Sequence, residues 1–201
     1  MTARGEQQID GRAGLLVVVS GPSGAGKTTI ARAIEQGIPG AVFSVSMTTR
    51  KKAAKDTEGV DYFFVDDDAF ERVKAEDGFL EWADVFGRKY GTPRAWVEER
   101  LAEGRLVILE IDVAGGRQVK EKMPGMLGIF VLPPSEEALL ERLRQRGRDS
   151  EEAIQRRFAE AKREMAEARV CGAYDVFVTN DDLESAVNGA IAAVKERLAS
   201  V

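Results

Sequence analysis

Four short apolar runs punctuate the chain: Leu15–Val19, Leu106–Ile111, Leu127–Leu132 and Val176–Val178. They lack the apolar–polar alternation of a half-exposed sheet, so they read as strands buried on both faces. Helical spacing fills the intervals at Thr28–Glu35, Arg94–Glu103, Ala114–Lys122 and Ser135–Gln145. Strands alternating with helices predict an α/β domain with a parallel sheet covered on both sides. Its ligands would sit at the carboxyl ends of the strands. Residues 42–92 break the rhythm with VFSVS, DYFFV and FLEWADVF, separated by turns and one short helix near Asp67–Ala75. They predict a small, mainly β lobe set into a core of 15–41 and 93–201. A polar, arginine-rich stretch at about 143–158 is a candidate lid. There Asp149 would cap the next helix, with Glu152 completing a capping box. The last helix is expected from about Asp181.

Composition narrows the chemistry. The chain has 201 residues, enough for one domain with a substantial core, and a net charge of −5. That charge argues against nucleic acid as the main partner. No apolar stretch approaches a membrane span, and residues 1–14 are polar, read as a disordered leader. The expected location is cytoplasmic. The single cysteine, Cys171, excludes an internal disulfide and is assigned to packing. There is no histidine, which removes histidine triads and histidine-ligated metals. Phosphoryl transfer tolerates that limit, because it depends mainly on positioning and charge neutralisation.

Directly after the first strand stands GPSGAGKTT, from Gly21 to Thr29. Strand, glycine loop and helix are the context in which G-x-x-x-x-G-K-[ST] binds phosphates. Gly21, Gly24 and Gly26 permit backbone turns that aim N–H groups inward as an anion nest, with Pro22, Ser23 and Ala25 between them. The helix that follows adds its unpaired N-terminal donors. Lys27 supplies a mobile charge for the outer phosphates, and the Thr28 hydroxyl, beside Thr29, is placed to ligate Mg²⁺.

Two further regions suggest a second half to the site. The strand ending LEID carries Glu110 and Asp112, two residues apart and so expected on one face. Asp112 is a candidate for holding Mg²⁺ directly or through water, or for capping the next helix. VSMTTR brings three hydroxyls and Arg50 to a strand end, and DYFFV follows after a charged turn. Arg50 alone would read as a surface charge. A guanidinium fork beside the Tyr62 phenol suits a second phosphate.

Together GPSGAGKTT, SVSMTTR, EGVDYFFV, FLEWADVFGRKYGT, LEID, LPPS, RLRQRGRDSEEAIQRR and VTNDD make the chain resemble the guanylate kinase family, from about Leu15 to Arg197. The resemblance implies a P-loop NTPase-type sheet with a GMP-binding lobe and an arginine-rich lid. It implies ATP and GMP as partners, with dGMP as a further acceptor, Mg²⁺ as the cofactor, and a place in purine nucleotide metabolism. By similarity Arg50, Tyr62 and Tyr90 grip the GMP phosphate, and Glu81 accepts from the guanine ring N–H and amine. Ser46 and Thr92 meet the carbonyl side, while Glu110 and Asp112 help hold GMP and the hydrated ion. Arg142, Arg146 and Arg157 converge on the transferring phosphoryl group, with Arg148 a weaker candidate. Asn180 lies near the ATP base edge or is a turn residue. Trp82, Trp96 and the Phe63–Phe64 pair are assigned to packing.

The chain departs from the family at TTRKKAAKDTEG. Ala53 stands where the family places a second arginine, and Lys55 and Asp56 stand for its Gly-Glu. One phosphate ligand is therefore missing, unless Lys51, Lys52 or Lys55 compensates as a point charge. Alternative readings are a kinase for another acceptor and a non-enzymatic module that binds a phosphorylated partner in the GMP lobe. The intact Gly26–Lys27–Thr28 and lid arginines argue against the module. Nothing in the sequence sets the oligomeric state.

Overall fold

The computed structural model describes residues 14–85, 87–145 and 150–200. The elements run β1 (Leu15–Ser20), α1 (Lys27–Gly37), β2 (Val42–Phe43), β3 (Met47–Thr48), β4 (Phe63–Phe64) and α2 (Asp67–Ala75). They continue with β5 (Phe79–Val85), β6 (Arg88–Pro93), α3 (Arg94–Ala102), β7 (Leu106–Glu110) and α4 (Val113–Lys122). The chain ends with β8 (Leu127–Leu132), α5 (Glu136–Gln145), α6 (Glu151–Val170), β9 (Val176–Thr179) and α7 (Leu183–Ala199).

Five strands form a parallel sheet in the order β2-β7-β1-β8-β9. Alternate side chains of each strand point to opposite faces. Leu15, Val17 and Val19 pack with Ile108 and Ile129 against Ile30 and Ile34 of α1 and Ala190 and Val194 of α7. Leu16 and Val18 pack with Val107, Leu109 and Phe130 against Val97 of α3, Val119 of α4 and Ala168 of α6. Every strand residue of β1 is buried, which explains the unbroken apolar run. Burial of one such Val, Leu or Ile side chain contributes about 1.5–3 kcal/mol. Because β1 lies between β7 and β8, the loop after β1 opens beside the carboxyl end of β7.

A second sheet of four strands, β4-β3-β6-β5, stands beside the first. β3 pairs parallel to β4, and β6 pairs antiparallel to both β3 and β5. The expected start of this lobe at residue 42 needs correction. Val42–Phe43 pairs with Val107–Ile108 and extends the five-stranded sheet, so VFSVS divides between two sheets. The apolar pair can be buried against either sheet, and neighbouring polar residues do not decide which.

Clamps tie the small sheet to the core. Gln118 of α4 accepts from Trp82 N and donates to Trp82 O, both at 3.2 Å. Asp77 accepts from Arg94 Nη2 and Lys122 Nζ, each at 2.7 Å, and Lys122 also donates to Phe79 O. Helix caps follow the local sequence. Asp66 accepts from Ala69 N at the head of α2, and Asp182 from Ser185 N at the head of α7. At α6 the cap is Ser150, whose Oγ accepts from Ala153 N, rather than Asp149. Asp149, Arg146 and Arg148 lie outside the described residues. Among the described residues, no helix is long and apolar enough to cross a membrane.

Candidate active site

The loop after β1 has the backbone its glycines allow. Gly21, Gly24 and Gly26 all have positive φ, and Gly26 at φ 97° serves as the N-cap of α1 without a side-chain cap. A Cβ at Gly26 would strike the Asn180 amide, so only glycine fits there. The first turn of α1 carries no acidic residue. Its N–H donors and positive dipole end thus meet no carboxylate from the helix itself. Thr28 and Thr29 are exposed in that turn. Lys27 Nζ donates to Pro22 O at 3.2 Å, which folds the ammonium back over the loop.

Three residues distant in sequence brace this loop. Asn180, 7% exposed, donates from Nδ2 to Ala25 O at 2.8 Å. Arg142 donates from Nη2 to Asn180 O at 3.0 Å. Arg157 donates from Nη2 to Ser23 Oγ at 2.9 Å. Asn180 is therefore buried against the loop backbone. Arg142 and Arg157 both reach the loop region, one through Asn180 and one directly.

The carboxylates at the end of β7 differ in what they do. Glu110 Oε1 accepts from Thr28 Oγ1 at 2.6 Å, which joins the strand end to the loop. Asp112 lies beyond the strand, so the two do not share a strand face as expected. It caps α4, with Oδ1 accepting from Gly115 N at 2.7 Å. Its carboxylate remains exposed on the cleft wall. The capping reading of Asp112 is thus realised, and Glu110 is the acid in contact with Thr28.

On the small sheet, Glu81 and Thr92 are cross-strand partners of β5 and β6. Glu81 is 6% exposed and Thr92 fully buried, and Thr92 Oγ1 donates to Glu81 Oε1 at 2.6 Å. Burial pushes the Glu81 carboxyl up to about 7; the Thr92 hydrogen bond opposes this and the charge of Asp112 adds to it. Gly115 leaves room for Glu81 Oε2, since a Cβ there would lie 3.2 Å from it. Ser46 precedes β3, half-buried, and its carbonyl accepts from Phe63 N.

Arg50, Tyr62 and Tyr90 converge beside this pair. The Arg50 guanidinium lies 5.1 Å from the Tyr62 ring centroid and 5.3 Å from that of Phe64. Tyr62 meets Tyr90 edge-on at 5.8 Å. Burial raises the Tyr62 phenol, which keeps it neutral and able to donate. Two hydroxyls of VSMTTR set this geometry through the backbone. Thr48 Oγ1 donates to Lys89 O and accepts from Arg50 N, and Thr49 Oγ1 accepts from Lys89 N. Phe64 thus belongs to the cation's surroundings as well as to sheet packing.

A cleft of about 880 Å³ separates the two halves, lined by Ser23, Asp84, Asp112, Arg157, Glu160 and Glu164 among others. Glu164 was not singled out from sequence. Its carboxyl is pushed up to about 7, chiefly by burial, with Lys27 pulling it down and Glu160 and Asp112 pushing it further. The signal was there in the spacing: Arg157, Glu160 and Glu164 fall at helical intervals on one face of α6.

Comparison with known proteins identifies the family. The sequence model of the family described as guanylate kinase matches residues 13–198. The guanylate kinase of Carboxydothermus hydrogenoformans is 53% identical over 87% of this chain and 84% of its own. That of Symbiobacterium thermophilum is 50% identical over 87% of this chain and 81% of its own. A crystal structure of guanylate kinase from Anaplasma phagocytophilum superposes with a TM-score of 0.68. It is 30% identical and covers 93% of this chain and 87% of its own. A family model matched over nearly the whole chain and relatives half identical over most of it show that the chain belongs to the guanylate kinase family of nucleoside monophosphate kinases.

Proposed function

We propose that the two walls of the cleft divide the ATP:GMP phosphotransferase reaction of this family between them. ATP phosphates lie on Gly21–Thr29, under Lys27 and the head of α1. GMP lies on the small sheet, its guanine N–H donors on Glu81 with Ser46 and Thr92 at the carbonyl edge. Its phosphate rests among Arg50, Tyr62 and Tyr90. Arg142, Arg146 and Arg157 stabilise charge as it spreads over the transferring phosphoryl group. The GMP phosphate oxygen is itself the nucleophile, so no protein base has to remove a proton. Closure of the cleft excludes water, which would otherwise take the phosphoryl group.

Mg²⁺ suits the residues present. Thr28, Glu110 and Asp112 offer hard oxygen ligands at the loop, and the 2.6 Å contact of Thr28 with Glu110 already brings two of them together. When bound there, the ion would supply positive charge against that of the ATP phosphates. The chain would act in the cytoplasm, within purine nucleotide metabolism.

The observation that carries the base assignment is the buried Glu81–Thr92 couple. A buried carboxylate accepts from the two guanine donors, and adenine, which lacks that donor pair, leaves it unpaired. A coupled ADP-release assay with Mg-ATP tests it across GMP, dGMP, AMP, CMP, UMP and dTMP. GMP and dGMP are expected to exceed the others by at least about a hundredfold in kcat/KM. Absence of a guanine preference overturns the assignment.

The missing second arginine gives a further expectation. Ala53 is exposed, beside Arg50 in the acceptor loop. Ala53→Arg adds a planar fork of donors, and one charge-assisted hydrogen bond contributes about 1.5–3 kcal/mol. GMP should bind about ten- to a hundredfold more tightly by calorimetry. An unchanged or weaker affinity shows that the loop already supplies what the phosphate needs.

A further inference from the structure

The acceptor-phosphate cluster holds an anion of its own. Asp56 has a side chain only 9% exposed, and it lies 2.9 Å from Arg50 Nη1. The same oxygen, Oδ2, accepts from Ala53 N at 2.7 Å, while Asp56 N donates back to Ala53 O at 3.0 Å. This reciprocal turn fixes the carboxylate against the guanidinium. Each partner strengthens the other's charge: Arg50 holds Asp56 below the usual carboxylate range, and Asp56 holds Arg50 above its own. Arg50 also donates from Nη1 to Lys51 O at 3.2 Å. At Ala53 there is no cation to offset the extra negative charge. Lys51, Lys52 and Lys55 are exposed, with the Lys52 ammonium 6.0 Å from the Phe64 ring. Arg50 and Asp56 together therefore present no net charge to an incoming phosphate.

We propose that Asp56 is a built-in competitor of the acceptor phosphate: GMP must take Arg50 from this carboxylate, and Asp56 thereby sets acceptor affinity. The proposal rests on the reading of Arg50, Tyr62 and Tyr90 as the phosphate grip. A phosphate dianion within hydrogen-bond reach of Arg50 has Asp56 as a near neighbour. Like charges at such separations repel strongly when little water screens them. The competing role for Asp56 would be to orient Arg50. The two roles differ in sign. Asp56→Asn retains an oxygen acceptor for Ala53 N and Arg50 while removing the charge, so competition predicts tighter GMP binding and orientation does not.

Calorimetry with GMP and with guanosine, on the full chain at low and raised ionic strength, separates them. Asp56→Asn is expected to tighten GMP about three- to tenfold. It should also steepen the loss of GMP affinity with salt, because the phosphate now meets an uncancelled cation. Guanosine, which has no phosphate, should bind as in the parent, which also reports an intact fold. In the Arg50→Ala background the gain from Asp56→Asn should shrink to what relief of the direct phosphate–carboxylate repulsion supplies. If Asp56→Asn leaves GMP affinity unchanged or weaker while Arg50→Ala weakens GMP and spares guanosine, the competition is overturned and the phosphate reading stands. If Arg50→Ala leaves GMP affinity unchanged as well, the phosphate reading fails and the proposal fails with it.

Discussion

Replacing Glu81 by alanine should lower kcat/KM for GMP by about 10³-fold and erase most of the preference for GMP over AMP. The carboxylate is buried, so its loss leaves the guanine donors and the Thr92 hydroxyl without a partner, and no water can easily substitute. An unchanged GMP-to-AMP ratio in the variant would remove Glu81 from base recognition. The same burial makes recognition depend on pH. Both guanine donors need the ionised carboxylate, and that carboxyl is pushed up to about 7. Guanosine affinity should therefore fall as pH drops below about 7, by up to about tenfold per unit. Guanosine isolates this effect from protonation of the GMP phosphate.

Stability should move the opposite way with pH. The Glu81 carboxyl ordinarily titrates near 4.5, and in the fold it is raised to about 7. Between those values the folded chain keeps a proton that the unfolded chain has released. Its contribution to stability thus declines as pH rises through that window, by roughly 3 kcal/mol in all. Glu81→Gln, which cannot ionise, should flatten this decline in denaturant titrations at pH 4.5 and pH 8. The site thus trades some stability of the free chain at neutral pH for a charged group that guanine can use.

The core of this fold was legible because burial on both faces leaves a strong trace. Leu127–Leu132 was bounded correctly as a strand, and Asp67–Ala75 as a helix. β2 was not legible, since two residues cannot show which of two sheets they join. The glycine loop was readable for a local reason: its glycines, lysine and threonine lie close together in sequence, at the junction of β1 and α1. The braces on that loop were not. Asn180 lies 155 residues from the Ala25 carbonyl it holds, and no local pattern announces such a contact. Asp112 shows why a carboxylate after a strand is ambiguous. A helix begins there, so the cap takes one oxygen, and Glu110 meets the Thr28 hydroxyl instead. The Arg50–Asp56 pair was equally hidden, because an acidic residue in a lysine-rich loop reads as solvated until the turn at Ala53 folds it inward.

Lys27→Ala should reduce phosphoryl transfer by about 10³-fold while changing ATP affinity far less. The loop backbone and the head of α1 would still hold ground-state phosphates, since their donors do not depend on the lysine side chain. Under the proposed function the ammonium adds a charge that follows the phosphoryl group as the bond to the leaving oxygen lengthens, so its removal should act on kcat more than on KM. Lys27→Arg should not restore the rate, because a planar fork folded toward Pro22 cannot occupy the place of a compact ammonium. GMP affinity of both variants should equal that of the parent, since Glu81 stands on the other sheet and Arg50 just beyond its strand β3. A fall in GMP affinity would instead mean that the lysine also holds the cleft together, and a rate within tenfold of the parent would leave the charge at the transition state to Arg142 and Arg157. The kcat and KM of ATP, measured together with the Kd of GMP, separate these outcomes in a single pair of variants.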